Sequence, residues 1–300
     1  MTGRETVVSC VSLQYALPLD NAAYHRHPAV SKSHLDQIAR SPLHYWARYL
    51  DENRVEPEPT PAMRLGTAVH TLTLEHDTFA ERYVMAPENI DRRTKAGKEL
   101  WAEWEAQAAG REVLTRADTD LVQAMAEAVW THPAAGALLR LKGKAEQSFL
   151  WTDEATGLEC KCRPDWLTDD GSLIVDLKTT EDASPAGFRK SIANFRYHVQ
   201  AAWYLHGLEQ ATVRRPEGFI FICVEKKPPH AVAVYVADAE MIGAGGERAL
   251  QDLERLAECR AAGRWPGYSE EIEPIGLPAW MRPRPDGSLP VGAPAEIELY

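Results

Sequence analysis

The sequence has no long apolar run and no other feature of a membrane or secreted protein. No segment approaches the roughly 18 consecutive apolar residues that a membrane-spanning helix needs. Residues 1–13 do not show a basic region followed by an apolar stretch, which a secretory signal would require. We therefore expect a cytoplasmic protein that has no membrane partner.

Cysteine is scarce, with only 5 residues in a chain of 300. An odd and low number does not support a disulfide framework and favours a reducing compartment. Cys160 and Cys162 lie two residues apart, but zinc sites usually have a wider spacing and a second pair of ligands. We therefore interpret these two residues as buried thiols.

Positive charge is also scarce, since 33 lysines and arginines stand against 44 acidic residues and give a net charge of -11. This balance disfavours loose binding of nucleic acid to the outer surface, because phosphate contacts need Lys and Arg. A basic groove can nevertheless coexist with an acidic exterior. The composition thus restricts any nucleic-acid site to a confined cleft.

The pattern of apolar residues predicts a helical first half and a second half that contains strands. The fold class is therefore α/β, a mixed core with a helical N-terminal section. We expect a loop at 21–28, an extended segment at 78–86 and a helix that ends at Pro133. The predicted helices are 31–40, 42–50, 62–75, 97–109, 115–131, one or two within 185–208, and 239–262; the predicted strands are 147–152, 158–163, 173–177, 218–224 and 231–236.

Acidic residues and a lysine cluster at two of the predicted strands. Asp165 follows Pro164 at the end of one strand, and Asp176 lies near the end of the next, two residues before Lys178. Side chains at positions i and i+2 of a strand point to the same face, so Asp176 and Lys178 project together. If the two strands form a hairpin, Asp165 reaches the same place. The alternative is an ordinary ion pair on the solvent face of a strand, which contributes little.

Two carboxylates and one ammonium group fit the hydrolysis of a phosphodiester. Mg²⁺ prefers oxygen ligands, and the main-chain carbonyl of Leu177 is a further candidate oxygen. A lysine beside the ion can orient water or stabilise negative charge on the phosphate. Asp165, Asp176 and Lys178 are therefore candidates for the centre of a metal-dependent nuclease.

Pro164-Asp165 followed by Asp176-Leu177-Lys178 resembles the PD-(D/E)xK signature of the restriction-endonuclease-like superfamily. The segment that ends at His70 resembles the histidine helix of the RecB-like branch, and Gln200 with Tyr204 resembles its QxxxY motif. Segments 31–33, 41–45, 265–268 and 277–280 are similar to the C-terminal nuclease domain of exonuclease VIII (RecE). The resemblance implies a restriction-endonuclease-like core, a central mixed sheet flanked by helices. It divides the chain into an arm (1–30), one nuclease domain (31–280, with a helical part 31–143, a sheet core 144–240 and a helix 241–263) and a tail (281–300).

The resemblance also implies roles for individual residues. His70, Asp165, Asp176 and the carbonyl of Leu177 would bind the metal, while Lys178 would act on the attacking water. Gln200 and Tyr204 would lie beside the metal and hold DNA or the catalytic groups, or they would simply pack. The candidate DNA contacts are Ser31, Ser33 and Arg163, although helix capping explains the serines equally well and strand alternation could turn the arginine away. Glu146 opens the strand section and could add a carboxylate to the site, but a solvated strand end is the favoured interpretation.

The activity that the resemblance implies is a Mg²⁺-dependent 5′→3′ exonuclease on double-stranded DNA ends, which leaves 3′ single-stranded overhangs for recombination of the phage or prophage type. Mn²⁺ also suits a site that combines histidine with carboxylates. The implied partners are further copies of the chain in a ring (trimer or tetramer) and a single-strand annealing protein. No iron–sulfur cluster is expected, because the cysteine pattern lacks its ligands. The alternatives are a structure-selective or single-strand nuclease and a DNA-binding protein without activity.

Overall fold

A computed structural model describes residues 16–17, 19–88 and 90–278, and expectations for the remaining residues, including Cys10, Trp280 and the tail 281–300, lie outside these ranges. The helices are α1 (Asn21–Arg26), α2 (Lys32–Arg40), α3 (Pro42–Tyr49), α4 (Pro61–Leu74), α5 (His76–Arg82), α6 (Lys95–Gln107), α7 (Arg116–Thr131), α8 (Pro133–Leu139), α9 (Pro185–Asn194), α10 (Tyr197–Thr212) and α11 (Ala239–Ala262). The strands are β1 (Tyr83–Met85), β2 (Glu112–Leu114), β3 (Gly143–Ala145), β4 (Phe149–Thr152), β5 (Glu159–Cys162), β6 (Trp166–Thr168), β7 (Leu173–Thr180), β8 (Gly218–Glu225) and β9 (Val232–Val236).

A five-stranded mixed sheet with the order β3-β6-β7-β8-β9 forms the centre of the molecule. Strands β7 and β8 are parallel, and every other neighbouring pair in this sheet is antiparallel. Residues of β8 alternate between two apolar clusters, with Phe221 in one and Ile222 in the other. Both faces of the central strands are thus covered, which explains their nearly continuous apolar sequence.

Helices cover the sheet on both faces. The first apolar cluster joins the sheet to α2, α10 and α11, and the second joins it to α4, α7 and α8. The expected fold class, an α/β core with a central mixed sheet flanked by helices and a helical N-terminal section, is therefore confirmed. Among the described residues, none of the helices combines the length and apolar character that crossing a bilayer would require.

Two local expectations were wrong. Segment 21–28 is not a loop, because Asp20 accepts a hydrogen bond from the Ala23 N–H (2.7 Å) and so caps helix α1. Segment 78–86 is largely the helix α5, and only β1 is extended; β1 pairs with β2 in a small parallel sheet within the predicted helical part. Helix α7 ends at Thr131, just before Pro133, as expected, and Pro133 also begins the short helix α8.

The hairpin between segments 158–163 and 173–177, which was the condition for Asp165 to reach the site, does not form. Strand β5 pairs with β4 in a separate two-stranded sheet. The partner of β7 is instead the three-residue strand β6, which begins directly after Asp165. Asp165 thus precedes the hairpin strand, and Asp176 lies in the middle of β7 and not near its end.

Candidate active site

Strand β7 carries a buried ion pair at the centre of the sheet. The ammonium of Lys178 lies 2.6 Å from Oδ1 of Asp176, as the alternation of side chains along a strand predicted. The other carboxylate oxygen of Asp176 accepts a hydrogen bond from Nε2 of Gln200 on α10 (2.7 Å). Asp176 is fully buried, and the Lys178 ammonium lies 4.6 Å from the ring centre of Tyr197. Both oxygens of Asp176 are therefore held in a fixed direction.

Asp165 reaches the same strand from the turn before β6. Its Oδ2 accepts a hydrogen bond of 2.8 Å from the backbone N–H of Leu177, which lies between Asp176 and Lys178. The same oxygen lies 3.4 Å from Nδ1 of His70 on helix α4. The structure thus brings His70, Asp165, Asp176 and Lys178 together.

Glu146 joins this group, although the sequence suggested a solvated strand end. One potential ligand atom each from His70, Glu146 and Asp165 lie within 4.8 Å of one another. Glu146 has a left-handed backbone (φ 53°), and its N–H donates to the main-chain oxygen of Asp165 (3.1 Å). The interpretation as a solvated end was therefore wrong. The available signal was an acidic residue at the start of the strand-rich half.

The implied ligands Asp176 and Leu177 lie beside this group of three. Asp176 directs its oxygens toward Lys178 and Gln200, and Leu177 supplies its N–H to Asp165. Their role as metal ligands stays a prediction.

The acidic groups of the site hold their protons unusually tightly. Burial and the neighbouring Asp165 raise the pKa of Glu146 to about 8, and the same two causes raise the pKa of Asp176 to about 6. Burial likewise raises the pKa of Asp165. The positive charge near these carboxyl groups does not offset the cost of burying their ionised forms. A bound cation would therefore stabilise the ionised forms.

The two basic groups have opposite shifts. Burial opposes the charge of Lys178, but the carboxylates of Asp176 and Asp165 outweigh it and raise the pKa of this ammonium. Burial and the Lys178 charge lower the pKa of His70 to about 4. His70 is therefore a neutral imidazole at neutral pH, the form that binds a metal ion. The donor set of one imidazole and two carboxylates fits a divalent cation.

A cleft with a volume of 920 Å³ opens onto His70, Glu146 and Lys178. Its lining contains both signs of charge and is not uniformly acidic; the basic groove stays a prediction. The charged lining residues are Asp20, Glu75, Arg82, Glu146, Arg163, Lys178 and Lys226.

The remaining predicted residues have local partners. Ser31 is the N-cap of α2, and its hydroxyl hydrogen-bonds with Nδ1 of His34 (2.8 Å) and with the Ser33 hydroxyl (2.9 Å). Capping thus accounts for the position of Ser31, and the Ser33 hydroxyl bonds with the cap residue. Tyr204 is largely enclosed, packs against Phe219 with ring centres 6.2 Å apart, and lies close enough to Asp176 and Asp165 to feel their charge.

Arg163 lines the cleft, but its guanidinium already has several partners. It donates to the main-chain oxygens of Glu146 (2.9 Å) and Leu19, and to the side chain of Asn21 (3.3 Å). The side chain is buried and holds the segment before α1 against the site. Cys160 and Cys162 are buried free thiols, as expected.

Residues 31–278 match the family described as the PDDEXK-like domain of unknown function DUF3799. The chain belongs to this family. No curated protein matches the sequence. The fold is similar to the crystal structure of a candidate exonuclease from Eubacterium rectale, with a TM-score of 0.55 and 14% identity over 87% of this chain and 97% of that chain. A phage-related exonuclease from Haemophilus somnus 129PT is 13% identical over 59% of this chain and 91% of its own, with a TM-score of 0.33. The first likeness shows the fold alone, and the second carries no argument.

Proposed function

We propose that the protein is a metal-dependent deoxyribonuclease of the PD-(D/E)xK type. The observation that carries this proposal is the convergence of His70, Glu146 and Asp165 directly beside the Asp176–Lys178 pair. A ligand set and a cation next to it are what hydrolysis of a phosphodiester requires. Membership of a PDDEXK-like family supports the same reaction class.

His70, Glu146 and Asp165 would hold a divalent cation, with Asp176 and the carbonyl of Leu177 as the further predicted ligands. When bound, the cation supplies positive charge to the phosphate and lowers the pKa of nearby water. The Leu177 N–H fixes one oxygen of Asp165. The neutral His70 ring keeps a nitrogen lone pair for binding because its pKa is about 4.

Lys178 would stabilise the developing charge and orient the attacking water. Its raised pKa keeps the ammonium charged throughout the physiological range. Asp176 holds this ammonium at 2.6 Å, and Gln200 holds Asp176, so Gln200 is a positioning residue. Tyr204 would support the same region of α10 by packing. Preorganised charge of this kind is usually the largest contribution to catalysis.

The finer assignment rests on the resemblance to exonuclease VIII. It comprises Mg²⁺ as the ion, with Mn²⁺ as an alternative, and 5′→3′ degradation of double-stranded DNA ends in phage-type recombination. It further includes a trimeric or tetrameric ring and an annealing partner. The description of the similar Eubacterium rectale protein as a candidate exonuclease supports the choice of exonuclease over endonuclease.

Digestion of linear and closed circular duplex DNA with Mg²⁺ tests the proposal. The wild type should degrade only the linear form, and 5′ and 3′ labels on each strand should show release from the 5′ end. Lys178→Ala should lower the rate by about 100- to 1,000-fold, since it removes one preorganised charge. Lys190→Ala, at an exposed position of α9, serves as the control. Cutting of closed circles would exclude the exonuclease, and an unchanged rate in Lys178→Ala would exclude this active site.

A further inference from the structure

A second cavity, with a volume of 580 Å³, lies where α2, the start of α10 and α11 meet. Four of its lining residues are arginines, and two are aspartates. We call it the arginine pocket; its charged residues are Asp36, Arg40, Arg196, Arg248, Asp252 and Arg255. Four guanidinium groups facing two carboxylates are unusual on a chain with a net charge of -11.

One arginine, Arg196, forms ion pairs with both carboxylates of the pocket. Nη1 of Arg196 lies 3.2 Å from Oδ1 of Asp36, and Nη2 makes a short contact with Oδ2 of Asp252. Arg196 is largely buried, has a left-handed backbone (φ 54°) and donates a further hydrogen bond of 3.0 Å to the Leu35 carbonyl. Arg196 is therefore a structural element of the pocket and not an available binding group.

The other three arginines have neutral hydrogen-bond partners or none of the ion pairs that hold Arg196. Arg40 donates to the hydroxyl of Tyr268 (3.3 Å) and Arg248 to the side-chain oxygen of Gln251 (3.1 Å), which are neutral partners. Within the described ranges, none of Arg40, Arg248 and Arg255 forms an ion pair, and all three are exposed. Three like charges that converge on one cavity attract a polyvalent anion, and the planar fork of a guanidinium matches phosphate oxygens.

Basic side chains relate the position of the active site to that of the arginine pocket. The ring of Tyr197 lies under the Lys178 ammonium, and Arg196 is the preceding residue. Lys32 on α2 donates to the Phe195 carbonyl (2.6 Å), and the charges of both Lys178 and Arg196 contribute to lowering its pKa, after burial. Lys178, Lys32 and Arg196 therefore lie within electrostatic range of one another. Lys32 and Arg196 are paired with Asp36 and Asp252, so they show that the arginine pocket lies near the active site and do not themselves bind a polyanion.

We infer that the arginine pocket binds backbone phosphates of the DNA strand on which the active site acts, with Arg40, Arg248 and Arg255 as the contacting groups. This inference rests on the proposed nuclease function, because the active site supplies the reason for choosing DNA among polyanions. The contacts are with phosphate and not with bases, so they add affinity without sequence preference. The pocket would hold the strand in place between cleavage events.

The test compares Arg248→Gln/Arg255→Gln with wild type in DNA binding and cleavage. A matched control is Arg214→Gln/Arg215→Gln, which removes the same charge from exposed positions beyond the far end of α10. Binding of a labelled duplex with a single-stranded end is measured by fluorescence anisotropy at several salt concentrations, with Ca²⁺ in place of Mg²⁺. Thermal unfolding confirms that each variant is folded.

We expect the pocket variant to bind about 10- to 30-fold more weakly at low salt, while the control stays within about twofold of wild type. The slope of log affinity against log salt should decrease by about 2, or roughly 0.9 for each phosphate that is no longer neutralised. In cleavage assays with Mg²⁺ the weaker binding of the pocket variant should appear mainly as a higher KM for DNA. A uniform loss across duplexes of different sequence is expected as well.

Three results would overturn the inference. The first is a wild-type protein that neither binds nor cleaves DNA. This result would exclude the proposed nuclease function and, with it, the role of the arginine pocket in DNA binding. The second is a wild type that cleaves DNA while the pocket variant matches the control in affinity and salt slope. This result would exclude DNA binding by the arginine pocket and leave the nuclease function in place. The third is unchanged DNA binding in the pocket variant together with lost binding of an acidic peptide, which would assign the pocket to a protein partner.

Discussion

Gln200 donates a hydrogen bond of 2.7 Å from its side-chain nitrogen to Oδ2 of Asp176, and Lys178 lies 2.6 Å from the other oxygen of the same carboxylate. The amide thereby links helix α10 to the central strand. Since Asp176 is fully buried, its orientation depends on these two neighbours. Any catalytic role of Lys178 therefore depends on a residue that does not itself face the cleft.

Replacing Gln200 with alanine should impair both stability and activity. The buried Oδ2 would lose its partner, which costs about 1–3 kcal/mol in the free energy of unfolding measured with urea. Activity should decrease by about 10- to 100-fold, as for other residues that orient metal ligands. The pKa of Asp176, now about 6, should rise, so the pH–rate profile should move to higher pH. Gln210→Ala, an exposed position on the same helix, is the control; an unshifted profile would leave Gln200 only a packing role.

Lys161 stabilises the wall of the cleft, and Lys161→Met should weaken it. This buried ammonium donates hydrogen bonds to the main-chain oxygens of Tyr24 (2.5 Å) and His27 (2.8 Å). These two hydrogen bonds hold helix α1 in place. Burial of the charge is costly, as a pKa lowered to about 8 indicates, but methionine would remove one donor from each of the two carbonyls, and the Tyr24 carbonyl would keep only the His27 N–H (3.3 Å). We expect a loss of about 2 kcal/mol in urea unfolding.

Lys144→Met, on the exposed side of β3, is the control for this change. A gain in stability for Lys161→Met, or an equal change in the control, would contradict this account of how α1 is held.

The sequence predicted those parts of the site that depend on local regularity. Asp176 and Lys178 share a face because strand side chains alternate, and the apolar run before them indicated a central strand. The proximity of Asp165 was also predicted, but through the wrong hairpin, since a strand of three residues such as β6 is too short to give a periodic signal.

Other parts of the site depend on contacts distant in sequence. The periodicity of α4 places His70 on a helix, but only the packing of that helix against β7 turns the ring toward Asp165. Glu146 reaches the site because its backbone is left-handed, a conformation that its sequence context does not indicate. The arginine pocket combines residues from three helices, which no local pattern relates.

Metal binding should become stronger as the pH rises from 6 to 8. The pKa of Glu146 is raised from 4.5 to about 8 in the folded, metal-free protein. The protonated carboxyl group therefore stabilises the folded state fully below pH 4.5, and this contribution to the free energy of unfolding is lost as the pH rises through 8. A divalent ion must displace this proton. The apparent affinity for Mg²⁺ should therefore increase on the order of 50-fold between pH 6 and pH 8.

The increase is measured as the Mg²⁺-induced rise in melting temperature at the two pH values. In Glu146→Gln the rise should be smaller and should depend less on pH, whereas Glu154→Gln, at an exposed turn, should behave as wild type. If Glu146→Gln kept the wild-type pH dependence, Glu146 would not be a ligand.

His70→Asn should change which metal ion supports activity. The imidazole favours Mn²⁺ over Mg²⁺ relative to a set made only of oxygens, because Mg²⁺ prefers oxygen ligands. Asparagine offers an oxygen without adding charge beside Glu146 and Asp165. We expect both cleavage rates to fall and the ratio of the Mn²⁺ rate to the Mg²⁺ rate to decrease by about 3- to 10-fold. His76→Asn, at the exposed start of α5, should leave the ratio unchanged. Equal losses with both ions would mean that His70 positions Asp165 through their 3.4 Å contact and does not bind the metal itself.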